Sequence, residues 1–225
     1  MEKIAQFPLK ERKRARIRLA LADSVIKRTQ DRSFEKIKIE TLCQDAEISR
    51  GTFFRFFPKK IDLIFYVTNL WAIETGWQLN HTEGIEPGYK KINEFFRLSA
   101  LSFERHQHFF IEALSQRVLD PVEFNRQDNE YNRVGLVERL IRFPEYEGIE
   151  AIPEGGFSVL FRQNIEAAIK TKNLPKTTDS EESILALACI FYGVPTMISD
   201  RTASHLAETY SQQLKIVWKG LGGRI

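Results

Sequence analysis

Apolar residues along this chain recur three and four positions apart, the spacing of one helical face. No alternating apolar–polar run of strand length stands out, and no Asn-Gly or Asp-Gly turn joins two apolar runs. The pattern predicts an all-α protein. A first helix is expected over about residues 10–29, with a stripe of Ile17, Leu21, Ser24 or Val25 and the stem of Arg28, flanked by Ile26; Phe34 follows as an anchor under the next helix. A second helix over 39–46 would bury Ile39, Leu42 and Ala46. A short turn, Glu47-Ile48-Ser49, leads to a third helix over 50–57, with Ser49 suited to cap it. Pro58 ends that helix because the residue before a proline is driven out of helical geometry. A long helix runs from near Lys60 to about Leu79, and Gly-Ile-Glu-Pro-Gly at 84–88 breaks the pattern. Further helices are expected at about 89–105, 107–119, 128–142, 155–172, 180–198 and 203–221, with loops at 144–156 and 173–178. Asp179 or Ser180, with Ser183 a weaker candidate, caps the helix at 180, and Pro195 should kink it.

Composition narrows the class. The 225 residues are 43% apolar, enough for a sizeable core in one large or two small domains. Cys43 and Cys189 lie too far apart in sequence for a metal motif and form no disulfide framework, so a reducing cytoplasm is the expected setting. Residues 1–9 contain Pro8 and no apolar run with a cleavage site, so no secretory leader is expected. The longest uncharged apolar stretch, 184–198, has 15 residues, short of the ~20 that span a bilayer, so no membrane association is expected.

Charge is unevenly placed. Residues 1–60 carry 16 Lys/Arg against 8 Asp/Glu, and the rest of the chain carries 17 against 22. Arg12, Lys13, Arg14, Arg16 and Arg18 crowd the first turns of the first helix, where cations oppose the helix dipole. A basic module on an acidic body suggests a polyanion partner, the plain alternative being a solvated basic helix. Two short helices joined by a tight turn meet the needs of a helix-turn-helix, whose second helix must be slim enough at its start to enter a major groove about 12 Å wide. Arg50-Gly51-Thr52 suits this: Gly51 allows close backbone approach, Thr52 can bond a phosphate or touch a thymine methyl, and Arg50 can fork onto guanine. Lys59 and Lys60 stand where the next helix begins, suited to phosphate contact.

The run Leu42-Cys43-x-x-Ala46-x-Ile48-Ser49-x-Gly51-Thr52-Phe53-Phe54-Arg55-x-Phe57-Pro58-x-Lys60-x-x-Leu63 resembles the DNA-binding segment of the TetR family of transcription regulators. The resemblance spans about residues 20–64, with Phe34 at the usual aromatic position; beyond it only length and helical character agree. Three departures stand out. Glu47 replaces the turn glycine, and left-handed geometry at a non-glycine residue costs on the order of 1 kcal/mol. Phe54 and Phe56 replace tyrosine and histidine, removing two polar groups that could bond phosphate. Lys38 replaces the threonine that commonly caps the second helix. On this resemblance the DNA-contacting set is Lys38, Glu40, Thr41, Ser49, Arg50, Gly51, Thr52, Phe54, Arg55, Phe56 and Lys60. Phe53 and Phe57, four apart, share a face and belong to the core.

The resemblance further implies a helix-turn-helix DNA-binding domain over residues 1–62 and a helical ligand-binding and dimerisation domain over 63–225. The body would carry a small-molecule pocket and form a homodimer through its last two helices. The stretch 184–198 is apolar nearly all round, unlike a monomer's surface helix. Ala203, Leu206, Tyr210, Leu214, Val217 and Leu221 form a stripe on the final helix. The expected dimer contacts are Leu187, Phe191, Val194, Leu206, Tyr210, Leu214 and Val217. Pocket candidates are Trp77, Phe96, Phe103, Phe110, Tyr131 and Phe161, suiting an apolar or aromatic effector.

An enzyme is the main rival. His81, His106, His108 and His205 are scattered, and His106-x-His108 on a helix points two rings about 200° apart. No phosphate loop, nucleophile elbow or His-Glu-x-x-His occurs, so neither catalysis, cofactor nor metal is expected. A second rival is an interaction protein whose basic start meets an acidic partner or anionic lipid. Preference for one palindrome over scrambled duplex separates it from a DNA-reading regulator, whose commoner habit in the family is repression.

Overall fold

A computed structural model describes residues 2–119, 130–154 and 156–224. Its regular structure there is all helical. The α-helices are α1 (Glu2–Ala5), α2 (Leu9–Arg28), α3 (Ile39–Asp45), α4 (Arg50–Phe56), α5 (Lys60–His81), α6 (Tyr89–Arg105), α7 (Gln107–Leu119), α8 (Leu136–Arg142), α9 (Gly156–Lys170), α10 (Ser180–Met197) and α11 (Ala203–Gly220). Short 3-10 turns lie at Phe34–Lys36 and Ile149–Ala151. The helix expected over 128–142 begins only at Leu136; residues 130–132 form a turn, and 128–129 lie outside the described residues. Of the candidate caps before α10, Asp179 does the work, its carboxylate accepting from the Glu181 and Glu182 N–H groups.

The chain divides into two compact units, 1–74 with 108–154, and 75–107 with 155–225. The first unit is therefore larger than the opening 62 residues. Its core is Leu21, Val25, Leu42, Phe53, Phe57, Leu63 and Tyr66, all fully buried. Phe53, Phe57 and Tyr66 form a tilted ring series with centroids 6.0 and 5.5 Å apart. Helices α2 and α8, far apart in sequence, pack together, and one buried side chain links them. Arg18, read from the sequence as one of a basic run, turns inward and is buried. Its guanidinium pairs with Glu138 Oε1 (2.8 Å), donates to the Tyr131 and Arg133 carbonyls (2.5 and 3.0 Å), and lies 4.2 Å from the Tyr66 ring centroid. Ile17, expected in the stripe, is only half-buried. Gly135 makes room for the pair: a Cβ there would fall 2.5 Å from Glu138 Oε2.

The second unit packs α6, α9, α10 and α11 around aromatic rings. Phe95 touches Phe157, Phe161 and Phe191, and Phe96 stacks on Tyr210 at 4.9 Å. This packing corrects the expected dimer contacts. Leu187, Leu206, Tyr210 and Leu214 are at most 1% exposed within the single chain, and Val194 is buried as well. Phe191 and Val217 are half-buried, and the Phe191 ring is engaged by Phe157. A side chain sealed inside its own chain cannot be the contact surface of a second copy. Periodicity located the internal stripe of α10 and α11, because an internal stripe and an external one share the same period. The apolar side chains facing outward on these helices are Leu185 (57% exposed), Ile216 (64%) and Met197 (84%).

The buried ion pair makes a direct prediction. Glu138→Ala leaves a buried guanidinium without its counter-charge, which costs about 3 kcal/mol. Its urea unfolding midpoint should fall accordingly, whereas Arg18→Met with Glu138→Leu should recover part of the loss. An unchanged midpoint for Glu138→Ala would show that the pair holds nothing together.

Candidate nucleic-acid interface

Helix α3 is fastened to α2 at its C-terminal end. Asp45 accepts a fork from Arg28, Nε at 2.9 Å and Nη2 at 2.7 Å, and a bond from the Ser24 hydroxyl at 2.5 Å. The Arg28 and Ser24 hydrogen bonds hold its carboxyl down at about 2. The turn that follows runs through Glu47 at φ 53°, in the left-handed region where glycine is the comfortable residue. The departure from glycine therefore leaves the turn intact, at a cost of about 1 kcal/mol. The turn closes with Ile48 N–H donating to the Cys43 carbonyl at 2.9 Å. Ser49 then caps α4, its Oγ accepting from Thr52 N–H at 3.2 Å. Phe57 has left helical geometry (φ −135°, ψ 90°) ahead of Pro58, as the proline requires.

Phe53 and Phe57 are sealed in the core, so α4 turns its opposite side outward. Arg50, Gly51, Phe54 and Arg55 are exposed and Thr52 is half-buried. On α3 and its cap, Lys38 and Glu40 are exposed and Thr41 is half-buried. Arg50 Nη1 lies 2.8 Å from Glu40 Oε1, so the starts of the two helices meet through an ion pair. Gly51 has no internal reason to be glycine. A Cβ there would meet nothing nearer than Ser49 Oγ at 3.9 Å, yet glycine inside a helix costs about 1 kcal/mol against alanine.

Two expected contact residues are placed elsewhere. Phe56 is 6% exposed, its ring beneath the guanidinium groups of Arg14 and Arg55 at 6.0 and 5.4 Å, so it is a floor for cations. Lys60 is drawn inward. Its ammonium donates to the Phe34 carbonyl and, at 3.3 Å, to that of Glu35, and sits 4.2 Å from the Phe34 ring centroid. Burial lowers its pKa. With Glu112 Oε2 accepting from Phe34 N–H at 2.7 Å, Lys60 fixes the loop after α2. Arg14, which the sequence offered only as part of a basic run, joins the cluster over Phe56.

The pocket candidates are not gathered in one unit. Trp77, Phe96, Phe103 and Phe161 belong to the second unit, while Phe110 and Tyr131 belong to the first. Phe96 and Phe161 lie 5.9 Å apart, and Trp77 stacks on His81 at 4.0 Å. Phe110 packs on Trp71 at 4.9 Å, and the Tyr131 carbonyl serves Arg18. Among the described residues no group of three His, Cys, Asp or Glu side chains is placed to hold a metal ion, and no helix is long and apolar enough to cross a membrane.

No protein-family model matches the chain, and no curated protein matches it in sequence. Solved structures share its fold. One is Salmonella enterica GusR, with a TM-score of 0.58 and 15% identity, covering 92% of this chain and 95% of that one. Another is a TetR transcriptional regulator from Rhodococcus sp. RHA1, with a TM-score of 0.55 and 12% identity, covering 91% and 96%.

Two measurements probe this surface without any ligand. Gly51→Ala should raise the unfolding midpoint by an amount equivalent to about 0.5–1 kcal/mol, since nothing obstructs the added methyl; a loss of stability would reveal an internal role for the glycine. Asp45→Asn should cost no more than about 1 kcal/mol at neutral pH. A carboxylate whose folded pKa is depressed stabilises above its unfolded pKa and ceases to do so as pH falls through the folded value. The gap between wild type and Asp45→Asn should accordingly close between about pH 4 and pH 2. A gap independent of pH would remove the carboxylate from the account.

Proposed function

We propose that this chain, which has the fold of TetR-type transcription regulators, is a sequence-specific DNA-binding regulator that works as a homodimer. The observation that carries the reading is α4. It is short, slim at Gly51, flanked by cations and anchored from behind by Phe53 and Phe57. Residues 1–62 would engage double-stranded DNA, with 63–225 serving ligand binding and dimerisation. Arg50 would fork onto a guanine edge, Gly51 would admit the backbone, and Phe54 would meet a thymine methyl or sugar. Lys38, Thr41, Ser49, Thr52 and Arg55 would meet phosphates and fix register.

Two such heads related by a twofold axis demand a palindromic site with half-sites near one turn apart, ~34–36 Å. The proposed dimer seam is the outward apolar face of α10 and α11, centred on Leu185 and Ile216. A small, largely apolar effector held among the aromatic rings of the body would bind one spacing of the heads more tightly. It would move the DNA-binding population only as far as its affinities for the two states differ. Repression in the cytoplasm is the role that fits, and neither catalysis nor a cofactor enters it.

Selection from random duplexes with purified protein tests the reading. A palindromic consensus is expected, and Arg50→Ala should relax one position in each half-site by about 1–3 kcal/mol. Leu185→Glu should give a monomer by sedimentation, with the melting temperature of the fold kept and affinity for the palindrome lost. An asymmetric consensus, or none, contradicts the function; an unchanged dimer in Leu185→Glu contradicts the seam.

A further inference from the structure

We infer that Glu40 and Arg50 act as one unit that reads a G·C base pair, with Glu40 setting sequence discrimination at some expense of DNA affinity. The inference rests on the DNA-binding reading above and says how that surface chooses its site. Arg50 opens α4, Glu40 lies in the first turn of α3, and their charged groups are 2.8 Å apart. One turn further along α4, the Phe54 ring centroid lies 5.7 Å from the Arg50 guanidinium carbon. The guanidinium thus has a carboxylate beside one nitrogen and lies over an aromatic ring. Both partners stay largely in solvent, with side chains 63% and 54% exposed. The recorded contact is a single Nη1–Oε1 approach, so the other guanidinium nitrogens and the second carboxylate oxygen remain for an outside partner.

An exposed ion pair contributes little to stability. A carboxylate on a surface that approaches phosphates also works against binding. Glu40 therefore does little for the fold and opposes non-specific affinity. Its distinct effect is on Arg50, whose long side chain is ordered before DNA arrives, so less freedom is lost on binding. The chemistry offered is a donor fork joined to an acceptor. Guanine presents O6 and N7 acceptors in the major groove and cytosine presents the N4 amino donor. Arg50 takes the guanine edge while Glu40 accepts from the amino group of cytosine on the opposite strand. An A·T pair offers no match for the fork, and its adenine amino group falls where the guanidinium stands.

The test is duplex selection and competition binding with the full chain as wild type, Glu40→Gln, Arg50→Ala and the double variant, each checked by thermal melting. Glu40→Gln should bind scrambled duplex at least as tightly as wild type. Its preference for G·C should fall about 10-fold at one position of each half-site, the same position that Arg50→Ala relaxes. The double variant should lose no more discrimination there than Arg50→Ala alone. If Glu40→Gln keeps the wild-type preference at every position, weakens all sequences alike, or acts at a different position from Arg50→Ala, the paired reading is wrong while DNA recognition stands. If wild type itself yields no consensus, the DNA-binding reading fails before the variants are compared.

Discussion

One buried cation organises the first unit. Arg18 gathers the carboxylate of α8, two carbonyls from the turn before it, the ring of Tyr66 on α5 and the ring of Phe57 that closes α4. A guanidinium in that position is tolerable only with its counter-charge and acceptors in place, because desolvation would otherwise outweigh every contact it makes. Those partners come from residues 131–138, far along the chain, so the helix-turn-helix module is completed by a segment that returns to it. Arg142 repeats the connection at the surface, pairing with Asp23 of α2 at 2.6 Å.

With that frame fixed, the aromatic residues of α4 and its C-cap Phe57 divide between core and surface. Phe53 and Phe57 are spent on the core, Phe56 supports Arg14 and Arg55, and Phe54 remains at the surface beside Arg50. The polar groups usual in the family at two of these positions are missing. On the proposed DNA-binding reading, their absence would leave recognition to Arg50, Thr52, Arg55 and the basic start of α2. Glu47 holds the left-handed turn geometry despite its side chain. Such a strained residue persists only where its surroundings determine the conformation, here the Ile48–Cys43 bond that spans it and the Ser49 cap after it.

Much of the architecture was legible from residue pattern. Helix ends followed local chemistry, as with the Ser49 cap, the Pro58 stop and the break at 84–88. The division between Phe53 with Phe57 and Phe54 followed from helical phase. What escaped were properties set at long range. Arg18 could not be told from its basic neighbours, since its partner lies 120 residues away. Lys60 sits at a position suited to phosphate contact, but the Phe34 and Glu35 carbonyls claim its ammonium. The apolar stripe of α11 is legible from its period, but period alone does not reveal which neighbour covers a face, and Leu206, Tyr210 and Leu214 are covered within the chain. The pocket candidates are large rings, and ring size carries no information about concavity.

The central claim is that α4 meets base edges in the major groove, once per subunit. Methylation interference on a selected duplex tests it directly, since methylating guanine N7 blocks a guanidinium fork from the major-groove side. The account predicts interference at guanines in two symmetric half-sites about one helical turn apart. Binding indifferent to N7 methylation, or interference at a single unpaired site, would contradict it.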